Sequence, residues 1–123
     1  MQFIITAHDG AGMLETRMKV RPRHLENLKT IGGRILCAGG LLDEEGKMKG
    51  SVLIMEFENR EMLDEYLKTE PYLVEGVWET AEVERMNVVL LNGEKIVDAD
   101  VSKYSTDGIL ASLRCHKGLF DAS

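Results

Sequence analysis

The sequence predicts an α+β fold, with a four-stranded antiparallel sheet and two helices on one of its faces. The length of 123 residues suits one domain around one hydrophobic core. A content of 44% hydrophobic and 29% charged residues is typical of a folded domain, and not of a disordered or membrane-spanning chain. Segments of two-residue periodicity, which indicate strands, alternate along the chain with segments of helical periodicity. These three observations together predict the fold class.

Four segments enriched in β-branched, aromatic and other apolar residues predict strands. They span residues 2–7, 34–42, 51–57 and 80–91. Two further segments predict helices. Because proline is costly inside a helix but tolerated in its first turn, we expect the first helix to run from Pro22 to Thr30. The second spans residues 60–68, with Asn59 as its N-cap and Pro71 beyond its end.

The order of these elements, β-α-β-β-α-β, is that of a ferredoxin-like fold. We assign this fold to residues 1–91 and treat residues 92–123 as a C-terminal extension. The extension begins with Asn92-Gly93, a pair typical of a two-residue hairpin turn, followed by a short return strand over residues 94–97. Residues 108–114 carry a short helical pattern.

Both faces of the predicted sheet carry apolar side chains. Along the third strand, Val52 and Ile54 point to one face, whereas Leu53, Met55 and Phe57 point to the other. Two helices cover only one face, and an exposed apolar face would form a large adhesive patch. We therefore expect a homodimer in which one of these two faces packs against a second copy of the chain. The C-terminal extension is the alternative cover.

Charge and the length of the apolar runs restrict the partners. The net charge of −6 argues against nucleic acid, because phosphate binding requires a basic surface. The apolar runs are too short to cross a bilayer, and the first six residues do not resemble a signal peptide. We therefore expect a cytoplasmic protein without a membrane partner. In that compartment Cys37 and Cys115 are expected to be free thiols, and Cys37, in an apolar run, is expected to be buried.

No pattern in the sequence indicates a cofactor. His8 and Asp9 are adjacent, but no third ligand stands at a spacing typical of a metal site. The glycine-rich segments at residues 10–12 and 39–40 do not match a phosphate-binding loop. We therefore expect neither a metal nor an organic cofactor.

His24 is the first candidate for proton transfer, because histidine changes its charge near neutral pH. It lies in the first turn of the predicted helix, at the edge of the apolar stripe, where its ring can reach a cleft. The nearby Arg21 and Arg23 would favour the neutral, basic form of the ring. Glu70 is the most notable acid, since Pro71 restricts it to an extended backbone just after the second helix. Spacing alone favours a boundary histidine without a catalytic role.

Four short motifs occur in order along the chain. They are Arg-Pro-Arg-His-Leu at 21–25, Ala-Gly-Gly-Leu-Leu at 38–42, Gly-Ser-Val at 50–52 and Glu-Pro-Tyr-Leu-Val-Glu-Gly-Val at 70–77. Together they resemble the YciI-like (YCII-related) family over about residues 1–86. The resemblance implies a ferredoxin-like fold, a dimer of the α+β-barrel type and a pocket around a His–Asp pair. The family histidine falls on His24 and the aspartate on Glu70, so this sequence departs from the pattern by one methylene group.

The leading hypothesis is a cofactor-independent enzyme that acts on a small molecule, and the resemblance favours His24 as its site residue. In such an enzyme His24 would shuttle a proton, Glu70 would orient the ring, and Arg21 or Arg23 would hold an anionic or enolate-like substrate. One branch of the family resembles enzymes that eliminate chloride from chlorinated hydroxyquinols. We therefore expect elimination or isomerisation next to a carbonyl or phenol, on the basis of analogy.

Tyr72 and Ser51 lie within the matching motifs and are further candidate substrate-binding residues. Two other functions stay open, a non-catalytic ligand-binding or accessory module that uses the same pocket, and a purely structural dimerisation domain. The pocket discriminates between them. A cleft with His24 and Glu70 within hydrogen-bond reach favours catalysis, a pair held apart favours binding, and a filled cleft favours the structural role.

Overall fold

The computed structural model describes residues 1–95, and its elements confirm the predicted α+β fold class. In chain order they are β1 Gln2–Asp9, α1 Leu14–Leu28, β2 Arg34–Leu42, β3 Met48–Glu56, α2 Arg60–Thr69, α3 Pro71–Val74, β4 Trp78–Met86, β5 Leu90–Leu91 and β6 Glu94–Lys95. None of the helices within this range is long and apolar enough to cross a membrane.

The main sheet has the strand order β2-β3-β1-β4, and each neighbouring pair is antiparallel. The first strand is therefore central, with Ile5 opposite Leu53 on one side and opposite Val83 on the other. β4 ends at Met86, earlier than predicted, because Met86 pairs with Gln2, the first residue of β1. Beyond that pair β1 offers no further backbone partner.

One face of the sheet carries the hydrophobic core. Phe3 and Ile5 of β1 and Leu53 and Met55 of β3 are buried there, together with Phe57. The helices cover this face with a second buried set, which includes Val20, Leu63 and Tyr66. Because side chains alternate along a strand, Ile4, Val52 and Ile54 lie on the opposite face, where they are half-buried. That opposite face, called the open face below, is the apolar one that the helices leave uncovered.

Helix α1 begins at Leu14 and contains Pro22, so the prediction that it starts at Pro22 is wrong. The buried residues of α1 are Arg17, Val20 and His24, which share one helical face. Burial of that face and the hydrogen bonds of Arg17 and His24 stabilise a continuous helix despite the backbone hydrogen bond that proline cannot donate. His24 consequently lies about three turns into the helix and is buried, not at its first turn.

Helix α2 matches its prediction closely. The Asn59 side chain accepts a hydrogen bond from the backbone N–H of Met62, as expected of an N-cap. The helix ends at Thr69, and Glu70 adopts the extended backbone that the following Pro71 requires, with φ −65° and ψ 113°. Pro71 then starts the short helix α3, which the sequence did not predict, at the position where proline is favoured.

A first compact unit comprises residues Met1–Val88, and the described part of the second forms the β5–β6 hairpin. Asn92 and Gly93 both have positive φ, 52° and 77°, as a two-residue hairpin turn of type I′ requires. This confirms the predicted turn. The remainder of the predicted return strand and the helical pattern at 108–114 lie outside the described residues, as do Cys115 and His116.

Cys37 is exposed, and the prediction that it is buried is wrong. It pairs with Ile54 on the neighbouring strand and therefore lies on the open face of the sheet. Apolar neighbours along β2 predicted burial, but the helices cover only the other face.

Replacement of Pro22 by alanine tests the continuity of α1. Alanine restores the missing N–H and is about 3 kcal/mol more favourable than proline in a helix interior, although the unfolded chain gains freedom as well. We expect Pro22→Ala to raise the free energy of unfolding by roughly 1–3 kcal/mol in urea titrations. The exposed Glu26→Ala on the same helix serves as the control and should change it by less than about 0.5 kcal/mol. A loss of stability in Pro22→Ala would contradict the helical assignment.

Candidate functional site

A small cavity of about 130 Å³ opens between α1 and the strands β2 and β3. Its polar lining consists of Arg17, Arg21, His24, Ser51 and Tyr72. The rest of the wall is apolar side chains and the exposed backbone around the glycine pair of β2. The cavity thus combines an apolar wall with a few polar groups, which is typical of a small-molecule site.

The centre of the site is a hydrogen bond between Nδ1 of His24 and Oε1 of Glu70, at 2.5 Å. Both residues are buried, with 6% of His24 and none of Glu70 exposed. When a carboxylate at Glu70 accepts this bond, Nδ1 carries the proton and Nε2 has the lone pair of the ring. Within residues 1–95, Nε2 makes no hydrogen bond, and the ring lines the cavity. In that tautomer, the ring can act as a base towards the cavity.

The carboxylate of Glu70 is held by three donors. Oε1 also accepts from the backbone N–H of Tyr72 at 3.1 Å, and Oε2 accepts from the hydroxyl of Tyr66. A carboxylate without access to water is costly to keep ionised unless such bonds replace its hydration. These three bonds supply that replacement.

The backbone places Glu70 between two helices. Glu70 is the C-cap of α2 and also the N-cap of α3. The backbone N–H of Tyr72, the second residue of α3, donates the capping hydrogen bond to the Glu70 side chain. Pro71 keeps Glu70 extended, so the side chain turns back towards α1. The motif of residues 70–72 thereby positions both the acid and the aromatic ring beside His24.

Two aromatic rings fix the plane of the imidazole. Tyr72 stacks on His24 with 4.1 Å between ring centroids and an interplanar angle of 20°. Trp78 meets His24 edge-on, at 6.4 Å and 70°. Burial raises the pKa of the Tyr72 phenol, although Arg17 and Arg21 oppose the effect. Tyr72 is therefore a neutral group at physiological pH.

Arg17 is the site residue that the sequence did not predict. One terminal nitrogen contacts both carboxylate oxygens of Asp9, at 2.9 and 3.0 Å, and the other donates to Oγ of Ser51 at 2.7 Å. The guanidinium also lies 4.5 Å from the ring centroid of Tyr72. Arg17 was overlooked because the helix was expected to start only at Pro22. The signal that could have found it is its spacing of seven residues, two helical turns, from His24.

Ser51 reaches the site because Gly50 lets two strands approach closely. A Cβ at residue 50 would lie 2.4 Å from the carbonyl oxygen of Ala7. Glycine is thus required at this point of β3, next to the hydroxyl that accepts from Arg17. The Gly-Ser motif of the sequence therefore has a steric reason.

Of the predicted site residues, the structure brings together His24, Glu70, Arg21, Ser51 and Tyr72. Arg23 is not part of the cavity lining; it is exposed and pairs with Glu75 at 3.1 Å. Its neighbour in sequence is His24, and successive residues of a helix point about 100° apart. Arg23 is therefore left out of the proposed site.

The residues considered for a metal do not gather into a site. Asp9 is bound to Arg17, and His8 is exposed at the end of β1. Among residues 1–95 no group of three or more His, Cys, Asp or Glu side chains could hold a metal ion.

The sequence matches known proteins along most of its length. Residues 1–87 match the model of the YCII-related domain. Protein YciI of Escherichia coli O6:H1 is 35% identical over 91 residues, covering 68% of this chain and 93% of that protein. An uncharacterized protein of Haemophilus influenzae is 34% identical over 86 residues, covering 63% and 88%.

A solved structure with a similar fold is the 5-chloro-2-hydroxyhydroquinone dehydrochlorinase TftG of Burkholderia phenoliruptrix AC1100, in complex with 2,5-dihydroxybenzoquinone. It superimposes with a TM-score of 0.64 at 28% identity, over 71% of this chain and 94% of TftG. The match to the family model extends over more than half of the sequence and agrees with the motifs around His24 and Glu70. The chain belongs to the YCII-related family.

Proposed function

We propose that the protein is a cofactor-independent acid–base enzyme that eliminates from, or isomerises, a small phenolic or carbonyl-containing anion. The observation that carries the proposal is the buried bond between His24 Nδ1 and Glu70 Oε1, which leaves Nε2 for a substrate in the adjoining cavity. Such a base, oriented by a second group, is the arrangement that proton abstraction requires. A pair within hydrogen-bond reach favours catalysis over binding alone.

In the proposed reaction, Nε2 of His24 takes a proton from a substrate hydroxyl or from a carbon next to a carbonyl. The carboxylate of Glu70 stabilises the imidazolium that forms. In an elimination from a chlorinated hydroxyquinol, a hydroxyl proton first moves to the ring carbon that bears chlorine, which gives the keto tautomer. Nε2 then removes a second hydroxyl proton, and the electron pair of that O–H bond forms the quinone and expels chloride as an anion. His24 later passes its proton to solvent. In an isomerisation, the imidazolium returns the proton to a different carbon of the same substrate. Neither route needs an external oxidant or reductant.

The charges around the cavity suit an anionic substrate. The two terminal nitrogens of Arg17 are bound to Asp9 and Ser51, whereas Arg21 lines the cavity and is exposed. Arg21 is therefore the cation that meets a carboxylate or phenolate, and Ser51 and Tyr72 supply hydroxyl groups beside it. A volume of about 130 Å³ restricts the ligand to about one ring, since pockets for drug-sized ligands measure roughly 300–1,000 Å³.

The similarity to TftG supports the same substrate class. TftG is, by name, a dehydrochlorinase of a chlorinated hydroxyhydroquinone, and its structure holds 2,5-dihydroxybenzoquinone. That ligand is a single ring with acidic hydroxyl groups next to carbonyls. It therefore serves as a probe for the cavity of this protein.

We further propose that the enzyme is a homodimer formed through the open face. The helices cover the face of Leu53, Met55 and Phe57, so only the face of Val52 and Ile54 is free within the described residues. Ile4 and Cys37 extend the apolar area across three adjacent strands. A second copy would bury this area and account for its composition.

The proposed activity is tested by chloride release from 5-chloro-2-hydroxyhydroquinone. We expect turnover by the native chain and a loss of about 10²–10⁴-fold in kcat in His24→Gln, because the general base is removed. Glu70→Gln should lose activity as well, since a neutral amide no longer stabilises the imidazolium.

The control for both variants is Glu26→Gln, which alters an exposed acid on the same helix that pairs only with Lys29 among residues 1–95. It should turn over like the native chain. Calorimetric binding of 2,5-dihydroxybenzoquinone accompanies each assay. Binding without turnover in the native chain would identify a ligand-binding module, and full activity in His24→Gln would refute the assigned base.

The proposed dimer is tested by light scattering at micromolar concentration. We expect a dimer for the native chain and a monomer for Ile54→Lys, because a charge at the centre of the open face opposes the association of two apolar surfaces. Met18→Lys is the control, since Met18 is an exposed apolar residue of α1, away from the open face. A native monomer would refute the dimer.

A further inference from the structure

We propose that Tyr66 is a positioning residue of the His24–Glu70 pair, whose hydroxyl holds the Glu70 oxygen that His24 does not use and thereby sets how basic His24 is. The inference rests on the proposed function, in which His24 acts as the base. The inference is carried by two hydrogen bonds to the carboxylate of Glu70. Tyr66 donates to Oε2, and His24 binds Oε1.

The need for such a residue follows from the side chain of Glu70. Glutamate has one more rotatable bond than the aspartate of the family pattern, so its carboxylate is less restricted by the backbone alone. Tyr66 lies one helical turn before Glu70, and its hydroxyl reaches Oε2 across that turn. The bond therefore removes the added freedom and keeps Oε1 directed at the imidazole.

Tyr66 is itself rigidly placed. It is 4% exposed and belongs to the hydrophobic core, with its ring stacked on that of Phe57 at 6.1 Å between centroids. Burial, followed by the charge of Glu70, raises the pKa of the Tyr66 phenol, so the hydroxyl stays protonated and acts only as a donor at physiological pH. A fixed donor of this kind lowers the negative charge that Glu70 presents to His24.

The consequence for His24 has a definite sign. Tyr66 stabilises the Glu70 anion that remains after the pair loses its proton, so it makes that proton easier to lose. Without the hydroxyl, the pair should bind its proton more tightly. The other charged or titratable groups near the ring stay in place when Tyr66 changes. They are Arg17 and Arg21 on α1, Tyr72 on α3 and, through Arg17, Asp9 on β1.

The inference is tested by NMR titration of the His24 ring, which needs no substrate. In Tyr66→Phe, the pH at which His24 is half-protonated should rise by roughly one unit, the order expected for the loss of one hydrogen bond to an ionised group. Replacement of Tyr66 by 3-fluorotyrosine, a stronger donor of the same shape, should lower it and preserves the packing if Tyr66→Phe does not fold.

Two controls separate positioning from a merely structural role. Phe3→Leu removes buried volume from the hydrophobic core and should lower stability while leaving the titration of His24 unchanged. On a Glu70→Gln background, Tyr66→Phe should no longer move the titration, because its effect passes through the carboxylate.

A titration of His24 that Tyr66→Phe and 3-fluorotyrosine both leave unchanged would overturn the inference. A native protein without chloride release would refute the proposed reaction but not this coupling. Where chloride release is measurable, the alkaline shift of the pH profile of kcat/KM in Tyr66→Phe should match that of the NMR titration.

Discussion

The rest of the structure is arranged around a carboxylate that water does not reach. Glu70 is fully buried, and an unpaired charge in such a position destabilises a fold by several kcal/mol. The three helices supply the groups that stabilise this carboxylate. α2 ends where Pro71 extends the backbone of Glu70, α3 begins so that a backbone N–H faces one oxygen, and Tyr66 faces the other. The position of His24 on the buried face of α1 brings its ring within hydrogen-bond distance of Oε1.

A second buried ionic group explains why α1 continues through a proline. Arg17 and His24 stand two turns apart on the same face, and each binds an acid from another element, Asp9 and Glu70. A break at Pro22 would move one of them out of place. Proline costs about 3 kcal/mol in a helix interior, whereas breaking one buried ion pair costs about 3–5 kcal/mol. The cost of breaking a buried pair therefore exceeds the cost of the proline. Arg17 and His24 consequently line the same cavity.

The sequence predicts those features that depend on local chemistry. Asn59 as an N-cap, the extended Glu70 before Pro71 and the Asn92-Gly93 turn each follow from the preferences of one or two residues, and the structure confirms them. Features that depend on distant residues were beyond such reasoning. The role of Arg17 requires Asp9 and Ser51 from two strands, and the exposure of Cys37 depends on which sheet face the helices cover. The His24–Glu70 pair, 46 residues apart, came from family resemblance and not from spacing.

The proposed function depends on an ionised Glu70 that orients a neutral His24 with its free nitrogen towards the cavity. The most direct test is the tautomeric state of the His24 ring, read from its two nitrogen chemical shifts above the pH of its protonation. We expect a proton on Nδ1 and a lone pair on Nε2. The opposite tautomer, with Nδ1 accepting from a protonated Glu70 and the proton on Nε2, would leave no base facing the cavity and would refute the proposed role of His24.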